Sequence, residues 1–213
     1  MAAVAVLDAL RARIREIEHS SEGRPDVRSA MARIPSGDPG VDRLIGGLPR
    51  PGIVEIAGAA GTGRIQLAAS FCRAAQAEGS PIVWVDPGER IHPPGLAQHG
   101  LRLDQLLVVR PASDREVWAV EQVCRSGAFP VVVVVDPRTF PKSGIGWRNA
   151  VEAGGCTLVV LVAHTRREIA ADVRLALRPT QPGLAELTVQ RDRRGPPGAA
   201  APRSPVPTAA CPW

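Results

Sequence analysis

The chain has 213 residues, 45% of them hydrophobic, which suffices for one domain with a substantial core plus appendages. Its longest apolar runs, such as Val131–Val135, fall far short of the roughly 20 residues that span a bilayer, and charges from Asp8 onward leave no apolar core for a secretory leader. The net charge of +5 is carried by arginine, Lys142 being the sole lysine, so the basic balance points to nucleic acid only where arginines cluster. Four scattered cysteines (Cys72, Cys124, Cys156, Cys211) with no C-x-x-C pair fit reduced thiols in a cytoplasmic protein, and neither a disulfide framework nor a metal site is expected. Aromatics at 3% leave little for stacking single-stranded nucleic acid.

In chain order, Leu7, Leu10, Ile14 and Ile17 recur at helical spacing among charged residues. They predict an amphipathic helix over residues 1–22, packed on its own domain or docked on a partner. Residues 23–34 read as a polar linker, and 35–194 as the core. Asp38 is placed to cap a short helix with Pro39 at its first position, and Gly46-Gly47 to end it. Strands follow at Ile53–Ala57, Pro81–Val85, Leu106–Val109, Val131–Val135 and Thr157–Ala163. Between them come helices at Arg64–Glu78, Gly95–His99, Ser113–Arg125 and from about Gly146 to Glu152. Short apolar strands alternating with helices predict an α/β fold, a mainly parallel sheet covered on both faces. Val173–Leu177 and Ala185–Arg191 instead alternate apolar and polar residues, as half-buried antiparallel strands at a sheet edge do. Residues 195–213 are rich in Pro and Ala and read as a disordered tail.

The stretch Ile53–Ile65 has the layout strand, glycine-rich turn, helix start. Gly58 and Gly63 keep the spacing of a phosphate-binding loop, whose consensus continues with Lys and then Ser or Thr. Here Arg64 stands at the lysine position and Ile65 at that of the magnesium-binding hydroxyl. Backbone N–H groups of Gly58, Gly61, Thr62 and Gly63 could still surround phosphates. Arg64 keeps the charge on a bulkier planar fork, and Ile65 offers no oxygen to magnesium. Asp136, ending the strand Val131–Val135, is the candidate second carboxylate of such a site, or else an ordinary strand-end residue.

Ser36-Gly37, Val41-Asp42-Arg43-Leu44, Gly46-Gly47-Leu48-Pro49 and Gly52-Ile53-Val54-Glu55 resemble the entry to the RecA-type recombinase core. Trp84-Val85-Asp86, Leu101–Leu106 and Val189-Gln190-Arg191 extend the likeness over residues 34–195. Within that superfamily the chain is similar to the ImuA-type accessory proteins of bacterial translesion synthesis. The resemblance implies a RecA-like core and a non-catalytic adaptor role in the SOS response and SOS mutagenesis. The implied partners are a Y-family-like polymerase homologue, an error-prone replicative-type polymerase and the RecA recombinase. It implies no resident cofactor beyond residual ATP binding. The alternatives are a weak DNA-dependent ATPase using Arg64 and Asp136, and a RecA-like cell-division inhibitor.

The family's general base would fall at Gly88, with Glu89 one step late, so the base is expected to be missing. His164 and Thr165 stand where the family has a phosphate sensor, and the second DNA-contact loop shortens to Arg166-Arg167-Glu168. Arg166, Arg167, Arg191 and Arg193 are the candidate phosphate contacts to DNA, or else a solvated charged face.

Overall fold

The computed structural model describes residues 32–142, 145–181, 184–193 and 200–201. The chain divides into two compact units, Met1–Ala32 and Arg33–Trp213, and the described residues belong, Ala32 apart, to the second. The expected helix carrying Leu7, Leu10, Ile14 and Ile17 lies outside the described residues.

Strands β1 (Ala32–Ile34) and β2 (Leu48–Arg50) pair as a small ribbon, so the expected linker ends in a strand, all of which precedes the expected core start at 35. Between them α1 (Pro39–Ile45) begins as expected. The Asp38 carboxylate accepts from the N–H groups of Gly40 and Val41 at 2.9 and 3.1 Å, and a left-handed Gly46 ends the helix. The core continues as β3 (Gly52–Ala57), α2 (Arg64–Ala77), β4 (Ile82–Val85) and α3 (Pro93–Gln98). Then come β5 (Leu106–Val109), α4 (Glu116–Arg125), β6 (Val131–Val135), α5 (Ile145–Gly154) and β7 (Thr157–Val162). The helix expected over Ser113–Arg125 is shorter: residues Ser113–Arg115 form a separate 3₁₀ turn ahead of α4. The antiparallel pair β8 (Val173–Gln181) and β9 (Leu184–Asp192) closes the core.

One eight-stranded sheet runs β10-β9-β8-β3-β7-β6-β4-β5, where β10 is Ala200–Ala201. The strands from β8 to β5 are parallel, and β9 and β10 are antiparallel at one edge. Part of the expected disordered tail is therefore ordered. Ala200 and Ala201 pair with Thr188 and Leu187 along the open backbone edge of β9. The other tail residues from 202 onward lie outside the described residues.

The apolar runs are buried because both sheet faces are covered. Val54, Ile56, Trp84, Val131, Val133, Val135, Val159 and Leu161 face a cluster that includes α1 and α2 residues. Ile53, Val83, Val85, Val132, Val134, Leu158 and Val160 face Val120, Cys124, Trp147 and Val151 of α4 and α5. Alternation with period two sends successive residues to opposite layers. No helix among the described residues is long and apolar enough to cross a membrane.

Candidate functional site

Strand β7 lies between β3 and β6, and its C-terminal end holds both halves of the candidate site. The N–H of Gly58 donates to Val162 O at 3.0 Å, and that of Asp136 donates to Leu161 O at 2.9 Å. The glycine-rich turn after β3 and the carboxylate after β6 are thereby fixed one strand apart.

The turn keeps the backbone of a phosphate loop. Gly61 and Gly63 both have positive φ, 81° and 84°, which side chains tolerate poorly. Gly58 is required for another reason: a Cβ there would lie 2.5 Å from Thr62 Oγ1 and 3.2 Å from Leu177 Cβ. Thr62 is buried and its hydroxyl donates to Ala59 O at 2.8 Å, closing the turn on itself.

The side chains depart from that frame. Arg64, the first residue of α2, is only 8% exposed and reaches across β7 to Asp136. It donates two parallel hydrogen bonds, Nη1 to Oδ1 at 2.5 Å and Nη2 to Oδ2 at 2.6 Å. Arg90 adds a third, Nη1 to Oδ2 at 2.9 Å, from a largely exposed side chain. Bidentate guanidinium–carboxylate pairing is the strongest geometry such groups reach. Asp136 itself has φ of 41°, a left-handed conformation that aspartate tolerates better than most residues.

A cleft of about 490 Å³ opens beside this trio, lined in part by Gly61, Gly63, Arg64, Arg90, His92 and Asp136. The residues present do not fit a magnesium–nucleotide group. The carboxylate that would order water around the metal is held by two cations, and position 65 supplies no hydroxyl.

The other expected residues settle as follows. Glu89 is exposed, with φ of 52°, in a turn organised by Asp86. The fully buried Asp86 carboxylate accepts from the N–H groups of Arg90 and Ile91 at 2.9 and 2.8 Å, so it is a loop anchor. His164 and Thr165 are exposed beyond the end of β7.

The candidate DNA arginines gather at one corner, where the loop 163–172 meets β8 and β9. Arg166 O accepts from Arg174 Nη2 at 2.9 Å, Arg174 sits opposite Arg191 across the β8–β9 ladder, and the N–H of Arg193 donates to Asp172 O at 3.0 Å. Arg167 and Arg191 are exposed, Arg166 lies 5.8 Å over the ring of Phe140, and Arg193 Nη1 is 3.5 Å from Asp172.

Two structural carboxylates escape sequence reasoning. Glu55, fully buried in β3, accepts from the N–H of Arg166 at 2.7 Å and pairs with Arg174 Nε at 2.5 Å. Asp172 accepts from the N–H of Ile53 and from Arg148, each at 2.8 Å. The only signal for Glu55 is a lone acid inside an otherwise apolar strand.

Residues 21–147 match the RecA N-terminal domain family. The chain is 32% identical over 112 residues to Protein RecA of Mycobacterium ulcerans (strain Agy99), covering 51% of this chain and 32% of the relative. It is 32% identical over 115 residues to Protein RecA of Chloroflexus aurantiacus (strain ATCC 29364 / DSM 637 / Y-400-fl), covering 53% and 33%. With Protein RecA 1 of Myxococcus xanthus it shares 33% identity over 107 residues, covering 49% and 31%. The matched stretch thus spans about a third of each relative's length. The family match covers more than half of the sequence and its strands supply both halves of the site just described, so the chain belongs to the RecA N-terminal domain family.

Proposed function

We propose that the protein is a non-catalytic, ImuA-type accessory factor of the DNA-damage response, acting in error-prone translesion synthesis through contacts with polymerases. The observation that carries the non-catalytic part is the Arg64–Asp136–Arg90 cluster. The charged groups that a RecA-like core would direct at a magnesium nucleotide here satisfy each other. The partner classes, a Y-family-like polymerase homologue and an error-prone replicative-type polymerase with the RecA recombinase beside them, rest on the resemblance of the loop and strand-end residues to that group. DNA contact, if made, falls to the exposed Arg167 and Arg191 at the corner with Arg166 and Arg193.

Calorimetry and a phosphate-release assay with ATP and magnesium test the reading. The expected result is no turnover by the wild type, with binding appearing only in the Arg64→Lys/Ile65→Thr double variant. Turnover by the wild type that Asp136→Ala abolishes would overturn it in favour of a weak RecA-like ATPase, the second reading, which has the open cleft of about 490 Å³ on its side. For the partner, co-purification with a Y-family-like polymerase homologue is expected, and its loss on deleting residues 1–22 would locate the contact.

A further inference from the structure

Two of the scattered cysteines meet in the fold. Cys124 and Cys156, 32 positions apart, are both fully buried in the layer under α4 and α5. Cys156 Sγ lies 3.8 Å from Cys124 O, and the two thiols share a hydrogen bond. Cys72 is buried on the other face of the sheet and does not join them. The contact exists because the C-terminal ends of two helices cross there. A Cβ on Gly154 would lie 1.8 Å from Cys124 O, so only glycine lets the end of α5 close on the last turn of α4. One residue beyond that crossing, the N–H of Cys156 donates to Val151 O at 3.3 Å, and β7 begins directly afterwards.

The surroundings of the two sulfurs differ. The Cys156 thiol is lowered from its ordinary range, first by the hydrogen bond from Cys124 and then, against burial, by its own backbone N–H and the Arg50 guanidinium. Arg50 is held in place there by its Nε, which donates to Gly155 O at 2.9 Å. The Cys124 thiol is raised, first because its proton is held on the Cys156 sulfur, then by burial and by the Glu121 carboxylate. Cys156 is therefore the first of the pair to become a thiolate, and Cys124 keeps a proton to give up afterwards. Access comes from the helix ends, which fray: Ser126 and Gly127 are exposed, and Gly154 and Gly155 half-buried, directly beside the thiols.

We propose that Cys156 and Cys124 are a modification site, a thiol pair that small hydroperoxides oxidise to a disulfide joining the end of α4 to the start of β7. The Cys156 thiolate attacks the hydroperoxide. An S–O bond forms, the O–O bond breaks, and the departing alkoxide takes the Cys156 proton and leaves as alcohol; the sulfur is oxidised to a sulfenic acid and the peroxide is reduced. The Cys124 sulfur then attacks that of Cys156. The S–S bond forms, the S–O bond breaks, and hydroxide leaves with the Cys124 proton as water. Two thiols and one hydroperoxide thus give one disulfide, one alcohol and one water. Closure needs sulfurs that can approach to about 2 Å with little backbone movement, and two thiols already sharing a hydrogen bond are placed for it.

The test exposes the full chain to a molar excess of hydrogen peroxide, blocks the remaining thiols and maps the peptides without reduction. A Cys124–Cys156 link is expected, lost on treatment with dithiothreitol. Dimedone, which captures sulfenic acids, is expected to label Cys156 in the Cys124→Ser variant and to leave Cys124 unlabelled in Cys156→Ser, with circular dichroism confirming that each variant folds. The wild-type map decides by itself if a variant does not fold. Links made only through Cys72 or Cys211, a map in which Cys124 and Cys156 both survive peroxide as free thiols, or a dimedone adduct on Cys124 in Cys156→Ser would overturn the proposal.

Discussion

The buried Asp172 and Glu55 and the half-buried Asp136 sit on one sheet and serve different ends. Asp172 and Glu55 accept from main-chain N–H groups, those of Ile53 and Arg166, as well as from arginines. Asp136 accepts from guanidinium groups of Arg64 and Arg90. A carboxylate that satisfies backbone donors is part of the scaffold, because its loss strands an N–H that cannot turn to water. One that satisfies only side chains can be exchanged together with them. The first group ties the loop 163–172 to β3 and cannot be removed piecemeal. Asp136 stands beside the glycine-rich turn and forms a cluster of its own with Arg64 and Arg90.

The difference is sharpest at Asp172. Asp172→Ala leaves Arg148 and the N–H of Ile53 without their acceptor, and a loss of about 3–5 kcal/mol is expected in urea unfolding. Glu55→Gln keeps the volume and an acceptor oxygen but leaves Arg174 uncompensated, for an expected loss of about 2–3 kcal/mol. A third test separates the ion clusters from the apolar core. Burial pushes the Cys72 thiol from 9.0 up to about 12, so the folded state holds a proton that the unfolded chain releases at lower pH. Stability from this group is complete below pH 9, declines as pH rises toward 12, and is lost on the order of 2 kcal/mol by about pH 11. Thermal unfolding of Cys72→Ala should therefore show a shallower alkaline slope than the wild type. The smallest effect is expected at the Arg64–Asp136 pair. Arg64→Met with Asp136→Asn, which keeps a side chain that tolerates the left-handed backbone, should stay within about 1 kcal/mol of the wild type, whereas Asp136→Ala alone, which buries an unpaired Arg64, costs more. If the double exchange proved as costly as Asp172→Ala, the distinction between the two groups would fail.

Much of the architecture was legible because strands buried on both faces leave unbroken apolar runs such as Val131–Val135 and Thr157–Val162. The antiparallel edge was legible from its alternation. Strands β1 and β10 were not, since three residues including Arg33, or two alanines in a Pro-rich stretch, carry no period to read. The glycine-rich turn and Asp136 lie side by side at the end of β7, but the relation between Arg64 and Asp136 was not legible. Arg64 reads from sequence as a cation aimed at phosphates, and its turn toward a carboxylate 72 positions away follows only from β7 lying between the two strands. The same distance hid the roles of Glu55 and Asp172, whose main-chain partners lie 111 and 119 positions away.

Gly58 carries a consequence for how such motifs are recognised. Its missing side chain makes room for the Thr62 hydroxyl and Leu177, both parts of this chain. Any substitution would push the strand-to-helix turn off β8 whether or not a phosphate ever visits it. The glycine signature can therefore outlast the chemistry it is used to diagnose, held in place by internal crowding alone. At this position the glycine is required by Thr62 and Leu177, so its presence by itself says nothing about a phosphate.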